Sequence, residues 1–504
     1  MAVLLFLTFT AWSMGSAVGS SPDEDFVLTS IWCANTPPLK GMDDPVRNAT
    51  TTATGRPIFA KGETCRRDLD RPGTVWVPWK VAESNCSPGP DTVGASCQKT
   101  LTDDVVSTDR VNDNLYPNTY LKAMHSLVGQ DVYKSTIYMR LINSLIAAVL
   151  IIFTLSLSKT TSTDLVVAFL SIIVPFGISL ISSVNTSSWA ISGSAIFALS
   201  LNAFDQRSLR SKHNIVCLIS CALGFWIANA SRYETKYQLL LILIFVFLYK
   251  FSDHFSSLQV RKKLAFFVFL LLVTVFLFTS LRGNAFFAPD FFDNQQKDKV
   301  ALLILNFLNL PLFITGFFGS WGLNSFDVLL MQTVWLFATA SFSLVICQSL
   351  RYSKKQNKII GFTSIAVFCV AILIYLQKFF VEIRDMVQPR YLFPLLIGSS
   401  LLIVANKKPK FSKSLIILIG LLATAANAIA LRTVIRRYVT GQNIKLSKSL
   451  NWPRSWWWTD KDSGTTLWAP APETVWLIGS LAFAMLFAVI IYERKLESAE
   501  TASI

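Results

Sequence analysis

Long apolar runs recur along this chain of 504 residues, and many of them approach the length of a membrane-spanning helix. A helix needs about 17–25 predominantly apolar residues to cross the hydrocarbon core of a bilayer. Inside hydrocarbon a segment must satisfy its own backbone hydrogen bonds, as an α-helix does. Charged residues make up 15% of the chain, well below the roughly 25% of soluble domains. The sequence therefore predicts an all-α polytopic membrane protein.

About twelve of these runs are predicted to cross the membrane. The first lies within residues 1–20 and is interpreted as an uncleaved signal-anchor, with a cleaved signal peptide as the alternative. The remaining spans are expected at residues 137–158, 165–183, 188–204, 215–230, 238–251, 264–281, 327–350, 359–379, 391–405, 414–432 and 475–493.

The stretch 300–320 decides between twelve and thirteen spans. Asn306, Asn309 and Pro311 interrupt its apolar pattern, which favours a broken or re-entrant segment. If the stretch enters and returns, the basic loops, including 351–358, all lie on the cytoplasmic side, as the positive-inside rule requires. We therefore expect twelve spans with both termini inside, and a thirteenth span is the alternative.

Two polar segments are expected on the extracytoplasmic side. Residues 21–136 form the larger one, and the transmembrane bundle follows it over 137–432. Residues 433–474 form a Trp-rich loop before the last helix and the cytoplasmic tail at 475–504. An even number of cysteines in an extracytoplasmic segment predicts disulfides, here two bonds with three pairings open. These cysteines are Cys33, Cys65, Cys86 and Cys97.

The formal net charge of +15 comes largely from short basic loops between the predicted spans. That distribution follows the positive-inside rule, so the lipid bilayer is an expected partner and nucleic acid is not. The chain contains no Gly-rich phosphate-binding loop. A reaction driven by ATP or by a nucleotide sugar is therefore disfavoured.

Three carboxylates, Asp23, Glu24 and Asp25, directly follow the first span. An ionisable side chain at membrane depth costs about 2.5–3.5 kcal/mol to insert, so such groups usually mark a site. The simpler interpretation is that these acids only begin a solvated loop.

Arginines at the outer ends of predicted spans favour the functional interpretation, since the positive-inside rule disfavours them there. They are Arg232, Arg282 and Arg390, and Arg384 lies six residues before Arg390. A guanidinium group presents a planar fork that binds phosphate oxygens in pairs. The alternative for Arg390 is that its side chain snorkels to lipid headgroups. Several outward arginines around an apolar bundle indicate a site for a lipid phosphate.

Six of the 14 Trp residues lie between Trp452 and Trp476. Trp at a membrane interface ordinarily forms an aromatic belt. We interpret Trp457 in addition as part of a stacking surface for a sugar or a prenyl chain.

Four motifs together resemble one bacterial family of predicted multi-pass membrane proteins, long catalogued only as a domain of unknown function. The motifs are Pro22-Asp23-Glu24, Pro117 with Tyr120, Val184-Asn185 with Trp189, and Gln388-x-Arg390-Tyr391-x-x-Pro394. This family is similar to the GT-C superfamily of glycosyltransferases, which use polyprenyl-phosphate-linked sugars. The resemblance covers nearly the whole chain. One departure is Val27, where the family pattern has His three residues after the Glu.

The resemblance implies an inverting glycosyltransferase of the bacterial plasma membrane, with its active site on the extracytoplasmic face. The acceptor would be a cell-envelope glycan or glycolipid. Asp23 would act as the general base. Glu24 would orient the acceptor or join Asp23 in holding a divalent metal ion such as Mg²⁺ or Mn²⁺.

The other implied site residues fall into two groups. The donor phosphate would be held by Arg390, Arg384, Arg232, Gln388 and Tyr391. Substrate contacts would come from Asp25, Asn185, Trp189 and Trp457. Two other classes of function stay open: a flippase or transporter of polyprenyl-linked glycans, and a non-catalytic membrane assembly protein.

Overall fold

A computed structural model describes most of the chain. The described residues are 1–36, most of 57–84 and 95–111, 117–158, 162–204, 211–250, 298–319, 330–352, 355–378, 389–405, 411–440 and 470–502, with the single residues 328 and 382.

Sixteen α-helices make up most of the described residues. They are α1 Ala2–Gly15, α2 Glu24–Trp32, α3 Trp79–Ala82, α4 Asn118–His125, α5 Val132–Ser156, α6 Ser162–Ile173, α7 Phe176–Ile181, α8 Thr186–Ala203, α9 Lys212–Asn229, α10 Thr235–Lys250, α11 Lys299–Gly319, α12 Gln332–Tyr352, α13 Lys355–Lys378, α14 Phe393–Val404, α15 Lys413–Thr440 and α16 Pro472–Ala502. Two 3₁₀ turns, Ala95–Thr100 and Pro389–Leu392, accompany them. The prediction of a helical membrane protein is confirmed.

Five of these helices are long and apolar enough to cross a bilayer, in the part of the chain that the structure describes. They are α5, α12, α13, α15 and α16. Four other apolar helices are shorter, and two of them, α1 and α6, have 14 and 12 residues. The structure thus supports five such spans and not the predicted twelve. The predicted span 264–281 lies outside the described residues.

The predicted span 165–183 explains part of this difference. It is divided at Pro175, so that α6 ends at Ile173 and α7 begins at Phe176. Proline lacks the backbone N–H and its ring clashes with the preceding turn, which ends a helix. A continuous apolar run in the sequence is therefore two short helices in the structure.

Helix α8 lies in the centre of the bundle, with residues 186–200 buried throughout. It packs closely on α9 through Gly193 and Gly224. A Cβ atom on Gly193 would lie 2.6 Å from the backbone nitrogen of Ala228, and one on Gly224 would lie 2.6 Å from that of Phe197. Small residues at such a crossing let two helix backbones approach, which is the usual way that helices associate in lipid.

Residues 299–319 form one helix with Pro311 in its interior, so the predicted break in this segment is wrong. At its start, the Lys299 carbonyl accepts a hydrogen bond of 2.9 Å from Gln377, at the end of α13. Near its other end, Gly316 packs against Pro389, just before α14. Both ends of α11 thus contact the chain near the one connection that joins α13 to α14.

The polar segment after α2 carries a small antiparallel sheet that the sequence did not predict. Its strands are β1 Arg66–Arg67, β2 Val75–Pro78 and β3 Val105–Thr108, in the order β1-β2-β3. A disulfide joins Cys33, after α2, to Cys65, before β1, which confirms one predicted bond. Cys97 is disulfide-bonded as well, and Cys86 lies outside the described residues.

The connection between α1 and α2 is held against this segment. The Gln98 side chain donates hydrogen bonds to the carbonyls of Val18, at 2.7 Å, and Ser84, at 2.8 Å. On the other side, α1 is fixed in the bundle through the Trp12 indole, which donates to Asn427 of α15 at 2.9 Å. The residues that follow α1 are therefore anchored from both directions.

Candidate functional site

The polar side chains predicted to be functional meet where α1, α5, α8 and α14 come together beside the start of α2. The connection 16–23 runs through this place and carries Asp23 immediately before α2 begins at Glu24. The geometry of the site follows from two arginines, Arg140 and Arg390, which are both almost completely buried.

Arg140 lies inside α5 and uses all five of its N–H donors. Its Nε and one Nη2 hydrogen reach the two oxygens of Glu24, at 3.0 and 2.6 Å. The remaining hydrogens reach the carbonyls of Ser13, Ser16 and Ala17, at 2.8, 2.6 and 2.7 Å. A cation is favourable at the end of a helix, where the last carbonyls lack partners. Arg140 therefore caps α1 and binds Glu24 at the same time.

Glu24 is completely buried, and its carboxylate accepts two further hydrogen bonds. The backbone N–H of Val184 donates to Oε1 at 2.9 Å, and that of Ser21 donates to Oε2 at 3.3 Å. Each oxygen is thus shared between Arg140 and a backbone amide. This arrangement does not fit the predicted roles in acceptor binding or metal binding, because both oxygens are already engaged. The described residues also contain no group of three or more His, Cys, Asp or Glu suited to a metal ion.

Asp23 is the accessible carboxylate of the three. It adopts a left-handed backbone conformation with φ of 58°, which turns the chain from the connection into α2. Its Oδ2 accepts a hydrogen bond of 2.5 Å from Nη2 of Arg390. The Asp23 side chain is 35% exposed, whereas that of Arg390 is 1% exposed. Asp23 can therefore meet a substrate, while Arg390 is reached only past it.

Tyr391 stands between the two outward arginines that the structure describes. The guanidinium of Arg390 lies 5.2 Å from the centre of its ring, and that of Arg232 lies 4.8 Å from it. Arg232 forms an ion pair with Glu234 at 2.8 Å and donates to Ser187 at 2.9 Å. Two guanidinium groups, each paired with a carboxylate, thus share one aromatic ring. Such a pair of cations suits a phosphate.

Asn185 links this cluster to α8. Its side-chain oxygen accepts from the backbone N–H of Ser187 at 2.7 Å, which caps the helix. Its amide donates to the carbonyl of Pro22, next to Asp23. Asn185 therefore fixes the backbone that carries Asp23 and leaves no obvious side-chain group for a substrate.

Trp189 forms a buried aromatic wall one turn further along α8. Its indole donates to Asn143 at 2.9 Å, and the Asn143 amide donates to the Ser183 carbonyl at 3.0 Å. The Trp189 ring lies 5.1 Å from that of Tyr120 in an edge-to-face contact and 6.1 Å from that of Trp226. Trp189 is 7% exposed, so its role here is packing.

Asp25 points away from the arginine pair toward the polar segment that carries the sheet. It pairs with Arg110, whose guanidinium lies 5.5 Å from the centre of the Phe26 ring. Burial raises the pKa of Asp25 to about 6, against the opposing effect of Arg110. Asp25 therefore takes up a proton in mildly acidic solution, and its partner is distinct from that of Asp23.

The structure brings together five predicted site residues: Asp23, Glu24, Arg232, Arg390 and Tyr391. Asp23 and Arg390 are 367 residues apart in the sequence. The predicted site residues Arg384, Gln388 and Trp457 lie outside the described residues. Sequence reasoning missed three participants: Arg140, Glu234 and Ser187. Arg140 had a readable signal, since a charged residue within an apolar run is a site indicator by default.

Residues 6–398 match the model of a family described as a predicted membrane protein, DUF2142. The matched range includes Asp23 near one end and Arg390 near the other. Neither a curated protein nor a solved structure matches the chain.

Proposed function

The chain belongs to the DUF2142 family of predicted membrane proteins, and we propose that it is an integral-membrane glycosyltransferase. Its donor is a sugar linked to a polyprenyl phosphate, and its acceptor is a hydroxyl of a cell-envelope glycan or glycolipid. One observation carries the proposal: Asp23, an accessible carboxylate immediately before α2, contacts a buried arginine suited to phosphate.

The reaction follows from these groups. The acceptor oxygen attacks the anomeric carbon of the sugar while its proton passes to a carboxylate oxygen of Asp23. The bond between that carbon and the phosphate oxygen breaks, and polyprenyl phosphate leaves with the electron pair. Attack from the face opposite the leaving group inverts the anomeric configuration.

The leaving phosphate gains negative charge as the bond breaks, so fixed positive groups lower the barrier. Arg390 and Arg232, which both lie against the Tyr391 ring, supply these positive groups. Both arginines are buried, at 1% and 7% exposure. An interaction with an anion is stronger there than at a solvated surface, since water screens it less.

We propose that the shorter helices cross the membrane as well, which gives about twelve crossings with both termini in the cytoplasm of a bacterial cell. The site then faces the extracytoplasmic side together with the disulfide-bonded segment.

Single cysteines at positions 355 and 460 test this topology. They are introduced after Ser replaces the free cysteines Cys217, Cys221, Cys347 and Cys369. We expect a membrane-impermeant maleimide to label position 460 in intact cells and position 355 only after permeabilisation. Labelling of both positions from the same side rules out the twelve-crossing arrangement.

Replacement of Arg390 by Lys is expected to weaken donor binding strongly. Lys keeps the charge but cannot reproduce the planar fork of a guanidinium. Loss of a charge-assisted hydrogen bond costs about 1.5–3 kcal/mol, which corresponds to roughly 10–150-fold in affinity. The affinity for the donor is measured by titration of the polyprenyl-phosphate sugar into wild type, Arg390→Lys and Arg390→Ala. Equal affinity for wild type and Arg390→Lys would mean that Arg390 does not grip phosphate.

The activity itself is tested with purified protein in lipid vesicles. Mass spectrometry of co-purified lipids identifies a bound polyprenyl-linked sugar, which is then supplied as the donor. Release of polyprenyl phosphate together with a glycosylated acceptor supports the proposal. A transporter instead moves the lipid and leaves its sugar–phosphate bond intact, and an assembly protein does neither.

A further inference from the structure

The candidate base and the candidate phosphate ligand are bonded to each other. Asp23 Oδ2 lies 2.5 Å from Nη2 of Arg390. This oxygen already accepts a hydrogen bond from the guanidinium, so it cannot take the proton of the acceptor hydroxyl while the contact lasts. The group that would take the acceptor's proton is therefore restrained by the group that would hold the donor. The following inference rests on the proposed function.

The two partners differ in how easily they can leave this contact. Arg390 is 1% exposed and cannot move into water, and a buried cation without an anionic partner is strongly disfavoured. The Asp23 side chain is 35% exposed, so water can solvate it when it turns away. Asp23 is thus the more mobile partner, and an incoming anion can take its place on Arg390.

The second arginine of the cluster repeats the arrangement. Arg232 pairs with Glu234 at 2.8 Å while its guanidinium lies 4.8 Å from the Tyr391 ring. Two cations against one ring repel each other, and the two carboxylates offset that repulsion. An incoming phosphate brings negative charge and several acceptor oxygens to the same place, so it can substitute for a carboxylate on either arginine.

We propose that Asp23 occupies the phosphate position on Arg390 in the empty site, so that binding of a lipid phosphate displaces its carboxylate and frees it as the base. Donor binding and activation of the base are then one event. The acceptor hydroxyl meets a competent carboxylate only after the donor has bound. This order protects the site against proton transfer without a sugar to receive the acceptor oxygen.

The proposal predicts a change in phosphate affinity when the competing carboxylate of Asp23 is removed. Asp23→Asn should bind farnesyl phosphate, a short prenyl monophosphate without a sugar, about 10-fold more tightly than wild type, since a neutral amide holds a guanidinium less strongly than a carboxylate. Glu234→Gln should also bind it more tightly. Asp70→Asn is the matched control, because it removes the same charge from an exposed acid between β1 and β2. Its affinity should stay within about twofold of wild type.

A second measurement uses the unaltered protein, so that it does not depend on how a variant folds. A water-soluble carbodiimide with an amine labels accessible carboxylates, and peptide mass spectrometry reports the labelled fraction of Asp23. Farnesyl phosphate should raise this fraction, and farnesol, which lacks the phosphate, should leave it unchanged.

The outcomes separate this inference from the proposed function. If Asp23→Asn loses sugar transfer but binds farnesyl phosphate no more tightly than wild type, the displacement is overturned while the glycosyltransferase proposal stands. Equal tightening in Asp70→Asn also overturns the displacement, because the effect is then one of general charge. A fall in the labelled fraction of Asp23 on addition of farnesyl phosphate also overturns the displacement. If Asp23→Asn and Glu24→Gln both retain normal sugar transfer, the proposed function itself fails.

Discussion

Sugar transfer should fall by about 10²–10⁴-fold when Asp23 is replaced by Asn, the range typical for loss of a general base. The amide keeps the size and the hydrogen-bonding atoms of the side chain but cannot accept the proton of the acceptor hydroxyl. Arg390 retains an oxygen to which it can donate, so the fold should be preserved. Single-turnover assays with the donor bound measure the chemical step directly.

The matched control is Asp70→Asn, which neutralises an exposed acid between β1 and β2. We expect it to transfer sugar at the wild-type rate. Thermal unfolding of both variants in the same detergent separates a lost base from a damaged fold. Glu24→Gln completes the set: a dead Glu24→Gln beside an active Asp23→Asn would show that the two carboxylates have exchanged roles.

The second large effect is expected at Arg140. Replacement by Met leaves Glu24 without its cation in a fully buried position. Removal of one partner of a buried ion pair costs about 3–5 kcal/mol, because an uncompensated charge remains. Three carbonyls at the end of α1 also lose their donors. We expect Arg140→Met to unfold at a clearly lower temperature than wild type or to be recovered poorly from membranes.

Lys134 on the same helix provides the control for this prediction. It pairs with Asp131 at 3.7 Å, with both side chains more than one third exposed. Such a surface pair contributes about 0–1 kcal/mol, so Lys134→Met should unfold close to the wild-type temperature.

A double variant identifies the cause. Glu24→Gln added to Arg140→Met removes the orphaned charge and keeps an acceptor for the Val184 amide. It should recover part of the lost stability, since neutral groups are cheaper to bury than an unpaired carboxylate. If Arg140→Met unfolds at the same temperature as Lys134→Met and wild type, the buried ion pair does not stabilise the fold.

The ion pair of Arg140 and Glu24 changes the interpretation of the acidic motif. From the sequence, Asp23 and Glu24 are equivalent members of one acidic group. In the structure Glu24 is immobilised by four hydrogen bonds, whereas Asp23 faces a partly open site. Asp23 and Glu24 have different surroundings because Asp23 precedes α2 and Glu24 is its first residue. Their side chains therefore leave the backbone in different directions. Glu24 thus positions the segment, and the side chain of Asp23 stays accessible.

The number of membrane spans illustrates another limit of sequence reasoning. Hydropathy predicted twelve segments of suitable composition, and five described helices meet the length and composition for crossing. An apolar run indicates that a segment can be buried. It does not indicate whether a single helix continues through the segment. Pro175 divides one predicted span into two helices, whereas Pro311 lies inside a continuous helix. Only the packing of neighbouring helices distinguishes these two prolines.

Composition and local pattern by themselves determined the class of this protein, the polar segment with a disulfide, and part of the charged cluster, namely Asp23, Arg232 and Arg390. These properties follow from residue type and from spacing along the chain. The tertiary structure alone decided which charge meets which, since Arg140 lies 116 residues from Glu24 and Arg390 lies 367 residues from Asp23. The energy of a buried charge depends on the groups that surround it in space. For that reason one carboxylate became part of the framework and its neighbour became accessible to a substrate.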